Sequence, residues 1–139
     1  MDLMKLDLEQ LQKMIKKDKF IEYMGIEILE IGNEKSKVKL KFGEHLINFF
    51  GAGHGGAIYC LADTAFQLAC NASPEIELAV ALSTNLNYIK KVEEGETLIA
   101  EAEVISSTRR TSITDIKIKN ENQELVAVFK GLAYLKRKK

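Results

Sequence analysis

The chain has 139 residues, 46% of them apolar and 29% charged, ordinary values for one globular domain with one packed core. Lys plus Arg equals Asp plus Glu at 20 each, so net charge offers no pointer to nucleic acid or to a membrane surface. No apolar run reaches the roughly 18 residues of a spanning helix, and the start, Met1-Asp2-Leu3-Met4-Lys5, lacks the basic and apolar regions of a signal peptide. Cys60 and Cys70 form no CxxC pair, and two histidines are few for a metal site. Reduced thiols in a cytoplasmic protein are therefore expected.

Residues 7–17 place Leu8, Leu11, Met14 and Ile15 at helical spacing, and a short second turn over 18–24 ends at Gly25. Residues 1–24 are thus an N-terminal helical segment of a single domain spanning 1–139. Two strands follow, over 26–32 and 36–42, joined by Gly32-Asn33-Glu34-Lys35. In the second, Val38, Leu40 and Phe42 alternate with lysines, the pattern of a half-buried strand. Glycines 51, 53, 55 and 56 mark 46–56 as loop. From Gly56 to Asn71 the chain is apolar almost all round, which predicts a helix buried on most sides, with Asn71 and Pro74 at its end.

Four strands complete the chain, over 79–90, 96–107, 111–119 and 124–134. Leu125, Ala127, Phe129, Gly131 and Ala133 share one face of the last by parity. Turns at Glu93-Glu94-Gly95, Thr108-Arg109-Arg110 and Asn120-Glu121-Asn122 predict an antiparallel meander. One buried helix and a long antiparallel sheet imply an α+β architecture with the sheet curled around the helix. The closing Lys136-Arg137-Lys138-Lys139 reads as a solvated tail.

Asp63 is the only charged residue of the buried helix. Removing an ionised carboxylate from water costs several kcal/mol unless it is paired, so such groups concentrate at active sites. A thin polar stripe shared with Gln67, one turn on, is the structural alternative. Gly53-His54-Gly55-Gly56 immediately precedes the helix. Its glycines permit close backbone approach, and the free N–H groups of a helix start favour negative charge. Those are the parts of an oxyanion hole, or of a plain glycine-rich entry turn. Asp63 lies about 11 Å along the helix axis from Gly55 and Gly56. A base and an oxyanion hole must each come within about 3 Å of the reacting group. A two-fold dimer meets that demand by setting Asp63 of one copy against the glycine turn of the other, with strand 79–90 as the pairing edge.

Asn48-Phe49-Phe50-Gly51-Ala52-Gly53-His54-Gly55-Gly56 followed by Leu61-Ala62-Asp63-Thr64-Ala65 resembles the signature of PaaI-like thioesterases, the hotdog-fold enzymes associated with phenylacetic acid degradation. Asn85-Leu86-Asn87-Tyr88, Gly95-Glu96-Thr97-Leu98 and Arg109-Arg110 fit the same pattern. The resemblance runs from about residue 20 to the end. It implies a helix wrapped by an antiparallel sheet, homodimers through a continuous sheet and often homotetramers. It also implies hydrolysis of an acyl-CoA thioester, with CoA as part of the substrate and no metal or redox cofactor. The family's catalytic carboxylate falls on Asp63, as general base or nucleophile. The backbone donor to the thioester carbonyl falls on Gly55, the assisting amide on Asn48 and the motif histidine on His54. For the hydroxyl that orients water in some relatives, the nearest position reads Ala81. Ser83 shares its parity, and Thr84 takes the other face.

Gly56 is a further substrate contact at the turn. Arg109-Arg110 and Lys90-Lys91 are candidates for CoA phosphates, or solvated turn charges. His54 is as readily a structural loop residue, and Cys60 reads as a small buried apolar residue. A dehydratase or hydratase on the same fold would need a catalytic histidine, for which only His45 and His54 are available. A non-catalytic acyl-CoA-binding module would have no use for a lone buried carboxylate.

Overall fold

The structure is a computed structural model that describes residues 3–139, with side chains from residue 9 onward. Met1, Asp2 and the side chain of Leu8 lie outside the described residues. The first helix, α1 (Leu3–Ile15), packs Leu11 and Ile15 against the core. Asp18 caps α2 (Lys19–Met24), its Oδ1 accepting the N–H groups of Phe20 and Ile21 at 3.0 Å. Gly25 ends that helix at φ 82, where a side chain would be strained.

Strands β1 (Glu27–Gly32) and β2 (Lys35–Lys41) form an antiparallel hairpin. Val38, Leu40 and the following Phe42 are buried as their alternation predicts, and Ser36 joins them. Lys35, Lys37 and Lys39 of β2 point outward to Glu103, Glu101 and Glu27 at 3.9, 3.6 and 3.4 Å. Exposed pairs of this kind add little stability. A 3-10 turn (Glu44–Leu46) and an irregular loop lead into α3 (Gly55–Asn71), the buried helix. Four more strands follow: β3 (Ile76–Tyr88), β4 (Thr97–Ser107), β5 (Thr111–Lys119) and β6 (Leu125–Arg137).

The six strands form one antiparallel sheet in the order β1-β2-β4-β5-β6-β3, and α3 packs on its inner face. The expected meander holds for β4-β5-β6 only. β3 pairs with β6, not with β4. The reason is the connection over 89–96, which is no tight hairpin. It is held elsewhere, with Val92 O accepting Gly53 N–H at 2.8 Å and Glu96 O accepting Phe42 N–H at 2.8 Å. That linker crosses the sheet end and delivers β4 beside β2. Strand β3, arriving from α3, takes the free side of β6 and becomes an edge.

Two details of register depart from simple parity. Leu125 is exposed at the start of β6, where the register against β5 shifts between Ile118 and Lys119, and Val126 is buried instead. More consequentially, β3 carries a bulge between Ala81 and Ser83, where the register against β6 shifts. Ala81 lies opposite Ala133, and Thr84 opposite Gly131, both on the helix side. Ser83 lies opposite Leu132 on the outer side. The expected facing of Ser83 and Thr84 is therefore reversed, because the extra residue flips every side chain beyond it.

Phe66 of α3 is fully buried against Phe129 of β6, ring centroids 5.8 Å apart, over the backbone of Gly131. No helix among the described residues is long and apolar enough to cross a membrane.

Candidate active site

The loop before α3 is shaped by its own short-range bonds. Asn48 Oδ1 accepts the N–H groups of Phe50 at 2.9 Å and Ala52 at 3.1 Å, and Gly51 turns the chain at φ 83. The side-chain donor left on Asn48 is its Nδ2 amide. Gly53 has no room for a side chain, since a Cβ there would sit 2.8 Å from Val92 Cβ. Phe49 and Phe50 stand out from the loop, 91% and 78% exposed.

His54 is the N-cap of α3. Its Nδ1 accepts Gly56 N–H at 2.9 Å, which requires that nitrogen to be unprotonated. Gly56 N–H, expected to contact substrate, is thereby occupied inside the turn. Gly55 N–H has no acceptor among the described residues, so it is the outward donor of the helix start. The carbonyl of Gly55 accepts the Tyr88 hydroxyl at 2.8 Å. A depression of about 420 Å³ opens beside this turn, lined in part by Asn48, His54, Gly55, Tyr88, Lys90 and Lys91.

The one incompletely buried face of α3 runs through Gly56, Tyr59, Cys60, Asp63, Gln67 and Asn71, the three- and four-residue spacing of a helix stripe. Tyr59 is hydrogen-bonded to Thr84, and Asn71 exchanges two hydrogen bonds with the Ala79 backbone of β3. Asp63 is half-buried midway along this stripe, and its Oδ2 accepts Gln67 Nε2 at 2.8 Å. Among the described residues no cation forms an ion pair with it. Burial holds its carboxyl above the usual carboxylate range, and the Gln67 hydrogen bond partly opposes that. Burial, then the neighbouring Asp63 charge, pushes the Cys60 thiol up, away from nucleophilic thiolate. Cys70 is pushed up to about 12.

The predicted residues do not all converge. Asn48, His54, Gly55 and Gly56 cluster at the start of α3, and Asp63 stands two turns away along the same helix. Ser83 is exposed on the outer face of the sheet, beyond the bulge. Arg109 and Arg110 lie at the opposite end of the sheet from Tyr88. Thr111 pairs with Tyr134, whereas Tyr88 pairs with Ala127. Those β6 positions are separated by roughly 23 Å of strand. The backbone carbonyls of Arg109 and Arg110 accept Arg137 Nε–H at 3.0 Å and Leu135 N–H at 2.7 Å respectively. No group of His, Cys, Asp and Glu among the described residues is arranged to hold a metal. The bond from Tyr88 to Gly55 and the inward Thr84 were not found from sequence, because both depend on a bulge with no glycine or proline to mark it.

A model of the thioesterase superfamily matches residues 50–127. A putative esterase of Archaeoglobus fulgidus is 36% identical over 121 residues, covering 87% of this chain and 77% of that protein. The acyl-coenzyme A thioesterase PaaI of Escherichia coli is 31% identical over 121 residues, covering 87% of this chain and 85% of the relative. The solved structure of the E. coli PaaI protein superposes with a TM-score of 0.90 at 29% identity, covering 97% of this chain and 96% of that one.

Proposed function

The chain belongs to the thioesterase superfamily, and from that premise we propose that it hydrolyses acyl-CoA thioesters to free acid and CoA at a site shared between two copies. The observation that carries the reading is Asp63, a half-buried carboxylate with no cation partner among the described residues, on the same helix as Gly55, whose N–H has no acceptor among them. Gly55 N–H, assisted by Asn48 Nδ2, receives the thioester carbonyl oxygen and stabilises the negative charge that develops there. Asp63 takes a proton from water as the water oxygen bonds to the carbonyl carbon. Alternatively, Asp63 itself attacks that carbon and the mixed anhydride is then hydrolysed. The carbon–sulfur bond breaks in either case, and CoA leaves as a thiol. A carboxyl held above its usual range is the better base near neutral pH.

His54 serves by capping the turn, and its Nδ1 is not available for dehydratase chemistry while it holds Gly56. The dimer forms through the β3 edge, where Leu78, Val80 and Leu82 are exposed. It brings Asp63 of one copy to the Gly55 turn of the other. A tetramer follows if the sheet's outer face, with exposed Ile105 and Tyr134, covers a second dimer. Lys90 and Lys91 lie at the turn and suit the CoA phosphates, whereas Arg109 and Arg110 reach that group only from the partner. The reaction needs no metal or redox cofactor, and two free cysteines fit a reducing cytoplasm.

The test is thiol release from aryl, short, medium and long acyl-CoAs by the purified protein and by Asp63→Asn. Wild type should release CoA from at least one class, and the folded variant should lose about 10²–10⁴-fold. No release from any class, or a variant within threefold of wild type, overturns the reading.

A further inference from the structure

The peptide between Gly55 and Gly56 is held at both ends. Its N–H donates to His54 Nδ1 at 2.9 Å, and its carbonyl accepts the Tyr88 hydroxyl at 2.8 Å. The first bond is ordinary capping. The second is not, because the first turn of a helix is short of acceptors for its N–H groups, while its carbonyls already have partners further along the helix. Tyr88 therefore satisfies no orphan group at Gly55.

Core packing does not account for Tyr88 either, since it is 56% exposed. Its backbone is fixed by pairing with Ala127 in β6. Its ring lies close over Gly55, where an added Cβ would stand 3.3 Å from the ring Cζ and the hydroxyl oxygen. Burial, then the neighbouring Tyr59 and Cys60, holds the Tyr88 hydroxyl above its usual range, so it stays a donor.

Gly55 is the hinge between two peptide planes. The preceding plane carries the outward N–H, and its carbonyl, His54 O, accepts Ala57 and Ile58 N–H at 3.0 and 3.2 Å. The following plane is the one that Tyr88 and His54 grip. A glycine between them has more conformational freedom than any other residue, and helix ends fray. Pinning the second plane to the sheet holds the first turn closed and keeps Gly55 N–H in one direction.

We propose that Tyr88 is a positioning residue for the thioester carbonyl: by tying the Gly55 carbonyl to β3, its hydroxyl fixes the direction in which Gly55 N–H is presented. This rests on the hydrolase reading above, in which that N–H binds the developing oxyanion. A donor misplaced by about 1 Å can cost on the order of 10²-fold in rate, so loss of one of several restraints should cost about tenfold.

Tyr88→Phe removes the hydroxyl and keeps the ring. With the acyl-CoA that wild type hydrolyses best, kcat should fall about tenfold while KM stays within twofold. Free CoA, which has no thioester carbonyl, should inhibit both proteins equally, and their melting temperatures should agree. Tyr88→Phe with kcat within twofold of wild type overturns the proposal. So does a joint change in kcat, CoA inhibition and melting temperature, which would mean that the bond only holds the fold together. A wild type that releases no thiol would sink the hydrolase reading itself; an active wild type with an undiminished Tyr88→Phe sinks this inference alone.

Discussion

Asp63 sits under two opposed influences, burial that disfavours its charge and the Gln67 amide that favours it, and burial is the larger. Activity by the proposed route needs the ionised form. The acid limb of kcat/KM should therefore lie above the ordinary carboxylate pKa of about 4. Gln67→Met keeps the length and removes the donor, so it should move that limb further up. A limb at the ordinary value, or one unmoved by Gln67→Met, contradicts this. The same shift bears on stability. A folded-state pKa above the unfolded one means that the native chain binds the proton more tightly. The stability this confers is full below the unfolded pKa and is lost as pH rises through the folded one. Asp63→Asn, which cannot ionise, should gain in melting temperature relative to wild type at pH 7, and the gap should shrink toward roughly pH 4. Melts at both pH values check it, and a gap that widens toward acid would refute it.

At the scale of elements, the site depends on how closely α3 lies on the sheet. A Cβ at Gly131 would stand 2.6 Å from the Phe66 ring, and that ring is fully buried against Phe129 with nowhere to swing. Gly131→Ala should cost about 1–3 kcal/mol in urea unfolding, and a variant as stable as wild type would show that α3 can lift. Much of this layer was legible in the sequence. The lysine alternation of β2, the apolar run of α3 and the Gly25 stop are local patterns, and local patterns survive into the fold. The order of β3 and the facing of Ser83 were not legible. An eight-residue linker looks like a turn until its anchors at Phe42 and Gly53 are known, and the β3 bulge falls in Ala81-Leu82-Ser83 with no breaker residue. The site divides in the same way. Asp63 stood out as one charge in an apolar helix. The distinction between Gly55 and Gly56 depends on where the His54 ring turns, which no spacing encodes.

For the whole molecule, the decisive feature is the open β3 edge, with apolar side chains along it and the face of α3 bearing Asp63 incompletely covered. Asp63 and Gly55 lie about two helical turns apart, too far to serve one carbonyl from a single chain. In the proposed dimer, a second copy related by a two-fold axis would supply the missing half. Mixing two inactive variants, Asp63→Asn and Gly55→Pro, tests this. Gly55 is the first residue of α3, a position that accepts proline, and His54 at φ −65, ψ 129 already has the extended backbone that precedes one. The remaining obstacle is the exposed Tyr88 ring, which can give way. In a mixed dimer one site carries both lesions and the other carries none. After subunit exchange of an equal mixture, thiol release should return to about a quarter of the wild-type rate. No recovery, with both variants folded, dimeric and shown to exchange, would contradict a site shared between copies.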